Sequence, residues 1–187
     1  MSQWKNGNDP VREEKPLGRT GNEPNVAMIA AMDRNRVIGN GKAIPWRLPD
    51  EQQYFRRITM GHTVLTGRVN FEAMKRPLPG RTNVIMTRDE NYSYEGCEVV
   101  RSVDEAIDRY AMDSGSPLFV IGGEQIYRLF LPYTSTLYLT VIDAEFAGDT
   151  HFPEFEPVEW RIASCEQVNA NERNLYPYTC FVYRRIL

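Results

Sequence analysis

Little in this chain of 187 residues is suited to holding a metal. It has only two histidines, His62 and His151, and three cysteines, Cys97, Cys165 and Cys180, all widely spaced. Without a C-x-x-C pair, neither a zinc site nor a disulfide framework is expected; the thiols read as buried or inert, and a reducing cytoplasm is the expected compartment. No apolar run approaches the roughly 20 residues that span a bilayer, so no membrane partner is expected. Met1 to Lys5 lead into no apolar h-region, which argues against a secretory signal. A basic surplus is also missing: 22 basic against 25 acidic side chains give a net charge of −3, which argues against a general nucleic-acid binder. Anionic ligands would therefore depend on a few placed arginines and on backbone amides. There is no G-x-G-x-x-G, which disfavours a Rossmann dinucleotide site. Internal repeats and low-complexity segments are absent too.

What is present is an ordinary globular balance, 42% hydrophobic and 25% charged, enough for one domain with a sizeable core. Residues 1–24, punctuated by Gly7, Pro10, Pro16, Gly18, Gly21 and Pro24, read as a flexible N-terminal tail outside the fold. The domain is expected over residues 25–187, as a monomer. Val26 to Met32 is a continuous apolar run, the pattern of a strand buried on both faces. A polar, glycine-bearing loop follows to about Leu48. Pro49 then opens a helix to about Thr59, with Asp50 and Glu51 in the first turn, where the helix dipole favours negative charge.

Short strands and helices alternate after that. Strands are expected at Thr63–Thr66, Asn83–Thr87, Val99–Val100 and Leu118–Ile121, and helices at Val69–Met74, Ser102–Met112 and from Gly123 to Leu131. Ser102 and Glu105 have capping-box spacing. The alternation predicts an α/β fold: a single domain with a central, mostly parallel twisted sheet and about four flanking helices. Thr136–Asp143, Glu159–Val168 and Tyr178–Ile186 are longer and lack intervening helices, so they predict an antiparallel C-terminal edge.

Several junctions could carry chemistry. Gly122-Gly123, between an apolar strand and an amphipathic helix, is either a tight turn or a place where backbone approaches an anion. Gly67-Arg68 repeats the arrangement with a guanidinium beside it, suited to phosphate or simply solvated. Glu51, Phe55 and Ile58 share one helix face, so Glu51 is either a rim charge or a carboxylate in a pocket. In a pocket, desolvation would raise its pKa unless a ligand donates hydrogen bonds to it. Ile44-Pro45-Trp46 is either a packed plug or a lid over a ligand. Pro77-Leu78-Pro79-Gly80-Arg81 is a rigid turn that delivers an arginine, exposed or ligand-facing.

In order and spacing, these pieces resemble one family. Ile38-Gly39, Ile44-Pro45-Trp46, Leu48-Pro49, Glu51, Phe55, Gly67-Arg68, Phe71-Glu72, Arg76 through Arg81, Val120 through Gly123, Tyr127, Leu137 through Thr140 and Gly148 through Pro153 together resemble dihydrofolate reductase. The likeness runs from about Asn25 to Leu187. It implies reduction of 7,8-dihydrofolate to tetrahydrofolate with NADPH, feeding one-carbon metabolism, and it implies antifolates as inhibitors.

The resemblance also assigns roles. Glu51 would accept hydrogen bonds from the pterin N3 and 2-amino group, with Thr140 steadying it and Trp46 in the loop that closes over the site; these three would form the catalytic group. Ile29, Gln52, Phe55, Arg76 and Arg81 would complete the substrate site, with Arg81 pairing with the glutamate α-carboxylate. Ala31, Ile38, Gly39, Ala43 and Ile44 would border the nicotinamide. Ile121, Gly122, Gly123, Glu124, Gln125, Ile126 and Tyr127 would face the pyrophosphate. Gly67, Arg68, Val69, Asn70, Thr87 and Arg88 would surround the 2′-phosphate region, with Arg101 near the adenosine. Asp149 would belong to a partner loop that steadies the closed form.

This chain departs from the family pattern at four places: Asn70 for a common Thr, Glu124 for a frequent third glycine, Gln52 for an apolar residue, and Ile44 for Met or Leu. Ile44-Pro45-Trp46 with Glu51-Gln52 resembles trimethoprim-insensitive, mobile-element-borne members, which implies tolerance of that drug. Two rival readings have their own signatures. A silent binding homologue should have lost Glu51, Trp46 or Arg81, and all three are present. A reductase of the pyrimidine intermediate in riboflavin synthesis would have no use for an arginine that binds a glutamate tail.

Overall fold

The run from Val26 to Met32 becomes a strand because its alternate side chains fill two different cores. In a computed structural model that describes residues 23–112 and 115–186, Val26, Met28, Ala30 and Met32 point into one apolar cluster, and Ala27 and Ile29 into another. A strand covered on both faces needs apolar residues at every position. The expected tail, residues 1–24, lies outside the described residues except for its last two.

Along the chain run β1 (Val26–Met32), β2 (Val37–Gly39), α1 (Pro49–Thr59), β3 (Thr63–Gly67), α2 (Arg68–Met74), β4 (Thr82–Met86), β5 (Glu98–Val100), α3 (Val103–Tyr110), β6 (Leu118–Val120), α4 (Glu124–Phe130), β7 (Thr134–Ile142), β8 (Thr150–His151), β9 (Trp160–Val168) and β10 (Tyr178–Arg185). Eight strands form one sheet in the order β5-β4-β3-β6-β1-β7-β10-β9. The first six are parallel, and β10 and β9 add the antiparallel edge.

One face of the sheet is covered by α3 and α4, through Ala106, Ile107, Tyr127 and Phe130. The other carries α1, through Tyr54, Phe55 and Ile58. Fully enclosed side chains such as Phe71, Phe130 and Phe152 each stabilise the fold by roughly 1.5–3 kcal/mol. Ser102 caps α3 as its spacing predicts: its hydroxyl accepts from the Glu105 amide at 3.1 Å, and Glu105 accepts from the Arg101 amide at 2.7 Å. Among the described residues no helix is long and apolar enough to cross a membrane, and no group of three metal-ligating side chains is found.

The loop after β1 is more ordered than its polar sequence suggests. It contains β2, which pairs antiparallel with β8 from more than a hundred residues away. Glycine makes the pairing sterically feasible. A Cβ on Gly148 would lie 2.2 Å from Val37 Cγ1 and 2.6 Å from the Gly39 carbonyl, and one on Gly39 would lie 2.6 Å from Thr150 Oγ1. The carboxylate of Asp33, fully buried, ties the same region together. It accepts from the amides of Asn35, Val37 and Phe146, each at 2.8 Å.

Because its backbone neighbour cannot yield, Gly148→Ala is expected to disrupt the β2–β8 arm and to lower stability by about 1–3 kcal/mol, the usual range for overpacking. Denaturant melts and amide exchange over residues 37–41 test this, and an unchanged midpoint with unchanged exchange would contradict it.

Candidate active site

Parallel α/β sheets bind ligands beyond the carboxyl ends of their strands, where connecting loops leave a crevice. Such a crevice opens here between β1 and β6. It is a cleft of about 290 Å³ lined by residues of β1, the β2 loop, α1, α2 and the β6–α4 turn.

Glu51 sits on one wall. Helix α1 starts at Pro49, and successive residues on a helix point about 100° apart, so its two first-turn acids face different surroundings. Asp50 turns outward to the loop before β10. Asn174 donates to it at 2.6 Å and accepts from its amide at 3.1 Å, while Arg173 pairs with it at 3.0 Å. Glu51 turns inward and is 8% exposed. Its side-chain partner is Thr140 of β7, whose hydroxyl donates to Oε1 at a long 3.4 Å. The β1–β7 register sets Thr140 beside Ala31. Burial pushes the Glu51 carboxyl up to about 7, against the smaller downward pull of the Thr140 hydroxyl. One weak hydrogen bond does not replace the hydration that a carboxylate loses.

Backbone forms another part of the lining. Gly122 and Gly123 line the cleft, and Gly122 has φ +113°. A Cβ there would lie 3.3 Å from the Tyr127 ring and hydroxyl, and one on Gly67 would lie 2.9 Å from Ile126. The two strand–helix junctions are joined, since the Gly122 carbonyl accepts from the Gly67 amide and the Thr66 hydroxyl, each at 2.9 Å. Asn70 donates to Thr66 at 2.8 Å, which completes a chain from α2 to the glycine turn. Tyr127 anchors the turn by donating to the Ile29 carbonyl at 2.7 Å. Neither α2 nor α4 has a side-chain cap at its start.

The segment with two sequence readings, plug or lid, has features of both. Trp46 is buried and packs on Phe146 with ring centroids 5.3 Å apart. Ile44 is 63% exposed, and both residues line the cleft. Asp149 clasps the same loop, its two carboxylate oxygens each 3.0 Å from the Gly41 amide.

Of the expected site residues, Ile29, Ala31, Ile38, Ile44, Trp46, Glu51, Gln52, Phe55, Asn70, Ile121, Gly122, Gly123 and Tyr127 line the cleft together. Thr140 stands behind Glu51. Gly67 and Ile126 meet behind the glycine turn. Gly39 and Ala43 flank the β2 loop, where Asn40 and Ala43 form a bridge. Arg68, Val69, Thr87, Arg88 and Arg101 lie beyond the cleft, following the carboxyl ends of β3, β4 and β5; the registers Gly67 to Met86 and Met86 to Val100 keep these ends level. Arg68 is half-exposed, pairs loosely with Asp89 at 3.5 Å and lies over the Tyr92 ring. Arg101 donates to the Glu90 and Tyr92 carbonyls, each at 3.1 Å, and its Nη1 is buried without a partner.

Glu124 and Gln125 begin α4 outside the cleft lining, and Arg76 is exposed after α2. Arg81 is held beyond the end of α1, donating to the Thr59 hydroxyl at 3.0 Å and the Pro79 carbonyl at 3.1 Å. Burial, with the Arg56 charge nearby, pulls its guanidinium below the usual range. Ala30, Leu48 and Met74 also line the cleft and are not among the expected residues. Met74 lies four residues beyond Asn70 on α2, a spacing that could have revealed it.

Comparison with known proteins agrees with this geometry. The family model described as dihydrofolate reductase matches residues 25–185. The chain is 41% identical over 160 residues to a dihydrofolate reductase of Bacillus subtilis (strain 168), covering 86% of this chain and 94% of that protein. It is 39% identical to a dihydrofolate reductase type 3 of Salmonella typhimurium, covering 81% of this chain and 92% of the other. A solved dihydrofolate reductase from Enterococcus faecalis, complexed with NADP(H) and RAB-propyl, superposes with a TM-score of 0.80 at 35% identity, covering 86% of this chain and 95% of that one.

The buried acid has a consequence for stability. The folded chain holds a proton at Glu51 that the unfolded chain releases above about pH 4.5, the ordinary value for the group. The stabilisation linked to that proton is complete below this pH and is lost as pH rises through about 7. Glu51→Gln, which cannot ionise, is therefore expected to gain on wild type as pH rises from 4.5 to 8, by about 3 kcal/mol in the ligand-free protein. Chemical denaturation across that pH range measures the gap; a gap independent of pH would contradict the elevated pKa.

Proposed function

The chain belongs to the dihydrofolate reductase family and reduces dihydrofolate to tetrahydrofolate with NADPH, and we propose that Glu51 is the side chain that holds and polarises the pterin. One observation carries the assignment: a carboxyl shielded from water lines the same cleft as the side-chain-free backbone of Gly122-Gly123.

The residues present fit the cofactor. Glycine backbone at Gly122-Gly123, helix starts without side-chain caps, and Arg68 and Arg88 beyond them suit an elongated anionic ligand. Thr87 and Arg101 would stand at its far end, and Ala31, Ile38 and Ile44 would border its near end. Held there, NADPH would supply a hydride for pterin C6, with the accompanying proton reaching N5 from water.

Everything else falls to the protein. The Glu51 carboxylate would accept from N3 and the 2-amino group, and these donors favour the ionised form that burial alone disfavours. An anion against the ring raises the proton affinity at N5 without any side chain touching that atom. Thr140 keeps the carboxylate aimed, and Phe55 and Ile29 would hold the ring between them so that hydride and acceptor carbon meet in line. With a ligand bound, Trp46 and Ile44 would close over it and exclude bulk water, which strengthens every polar contact inside. Arg81, at the far end of α1 from Glu51, would pair with the glutamate α-carboxylate, with Arg76 nearby. The reading carries with it a cytoplasmic monomer that binds antifolates in the same cleft.

Tolerance of trimethoprim follows from the Ile44-Pro45-Trp46 and Glu51-Gln52 combination. A glutamate carries its carboxylate one methylene further than an aspartate, and Gln52 puts a polar group on the cleft wall. Both alter the surface that a rigid ring must match.

Glu51→Gln is expected to lower the rate of hydride transfer near neutral pH on the order of a hundredfold or more, with NADPH affinity preserved. Stopped-flow measurement at wild-type speed would remove Glu51 from the mechanism. Trimethoprim is expected to inhibit only at concentrations far above those that stop sensitive bacterial enzymes. Steady-state inhibition in the low range typical of those enzymes rejects the tolerance.

A further inference from the structure

A second carboxylate stands at the edge of the cleft with both oxygens engaged. Glu124 directly follows the Gly122-Gly123 turn. Its Oε2 accepts from the backbone amide of His151 at 2.9 Å, and its Oε1 accepts from Arg128 at 2.7 Å. The Arg128 guanidinium and the His151 amide hold its carboxyl below the usual carboxylate range. His151 belongs to β8 and pairs with Val37 of β2. On the same arm the Asp149 amide donates to the Gly39 carbonyl at 3.1 Å, and the Asp149 carboxylate holds Gly41. Ile38, between these contacts, lines the cleft. A single side chain thus fastens the glycine turn on one wall to the strand pair that carries the loop on another. An ionised acceptor gives such a tie more strength than a neutral one.

We propose that Glu124 is a positioning residue that couples cofactor binding at Gly122-Gly123 to the seating of the β2–β8 arm. The inference rests on the cofactor reading of that turn. A ligand that orders the turn also orders the arm through Glu124, and an arm held by Asp149 and Glu124 steadies the turn in return. By linkage the two effects are equal in free energy. Removing the tie weakens cofactor binding without removing any group that touches the reacting atoms.

The tie borders an open pocket of about 400 Å³ whose lining includes Arg36, Arg128, His151 and Glu154. Shortening Glu124 therefore leaves space that water fills rather than a hole in the core, and the variants are expected to fold.

Three variants separate the contributions. Glu124→Ala removes both contacts, Glu124→Gln keeps an acceptor for the His151 amide, and Arg128→Gln removes only the ion pair. NADPH affinity and amide exchange over residues 37–43 and 122–127, with and without NADPH, are the readouts. In wild type and Arg128→Gln, NADPH is expected to slow exchange in both segments. In Glu124→Ala, affinity is expected to fall roughly tenfold, as loss of a hydrogen bond to a charged group implies. NADPH should then still protect residues 122–127 but no longer the arm. Glu124→Gln is expected to restore most of the affinity and the arm protection. Wild-type affinity and arm protection in Glu124→Ala, or equal damage in Arg128→Gln, would overturn the coupling. If NADPH fails to protect residues 122–127 in wild type, the cofactor reading of the turn falls first and the coupling with it.

Discussion

A carboxyl group shut away from water with one distant hydroxyl as partner is unfavourable in its charged form, and the surrounding structure is arranged to keep it there. Pro49 starts α1 at the point that turns Glu51 inward and Asp50 outward. The outer acid takes up the contacts with Asn174 and Arg173, so the helix start is satisfied without help from the inner one. The β1–β7 register sets Thr140 behind Glu51. Among the described residues the one side-chain hydrogen bond to Glu51 comes from Thr140, and on the proposed reading the pterin N3 and 2-amino group would add a pair of donors from the cleft side. Such donors would favour the ionised form that burial disfavours, and the part of that contact that strengthens as charge develops on the ring would count toward catalysis.

The rest of the cleft meets a different requirement, close approach of backbone. Gly122 and Gly67 stand where any Cβ would press on Tyr127 or Ile126. Their carbonyl–amide bond locks the β3 and β6 junctions to each other. The ends of β3, β4 and β5 lie level, so the residues that follow them share one edge of the sheet with the glycine turn after β6. The loop carrying Ile44 and Trp46 is fixed from several sides by Asp33, Asp149 and Phe146.

Much of this was legible in the sequence where the cause is local. The doubly covered β1 shows in an unbroken apolar run, α1 in Pro49 and its acidic first turn, and α3 in the Ser102–Glu105 spacing. Boundaries elsewhere fall within a residue or two of the expected ones. The β2–β8 pairing was not legible, because it joins segments more than a hundred residues apart and depends on Gly39 and Gly148 lacking side chains. The three amides gathered by Asp33 and the Asn174 contact with Asp50 are likewise tertiary, and nothing in their neighbours' spacing announces them. Glu51 illustrates the limit best. Its helix face is plain from the spacing of Phe55 and Ile58, but whether that face meets solvent or a cleft depends on where β7 lies. The family resemblance supplied what periodicity could not.

Whether Glu51 is the group around which the site is organised can be read from its own titration. With the carboxyl carbon of Glu51 observed by NMR, the free protein is expected to titrate near 7, well above the ordinary 4.5, and binding of folate should return the group to its ionised form throughout the neutral range. A carboxyl that titrates near 4.5 in the free protein and ignores the ligand would contradict its role.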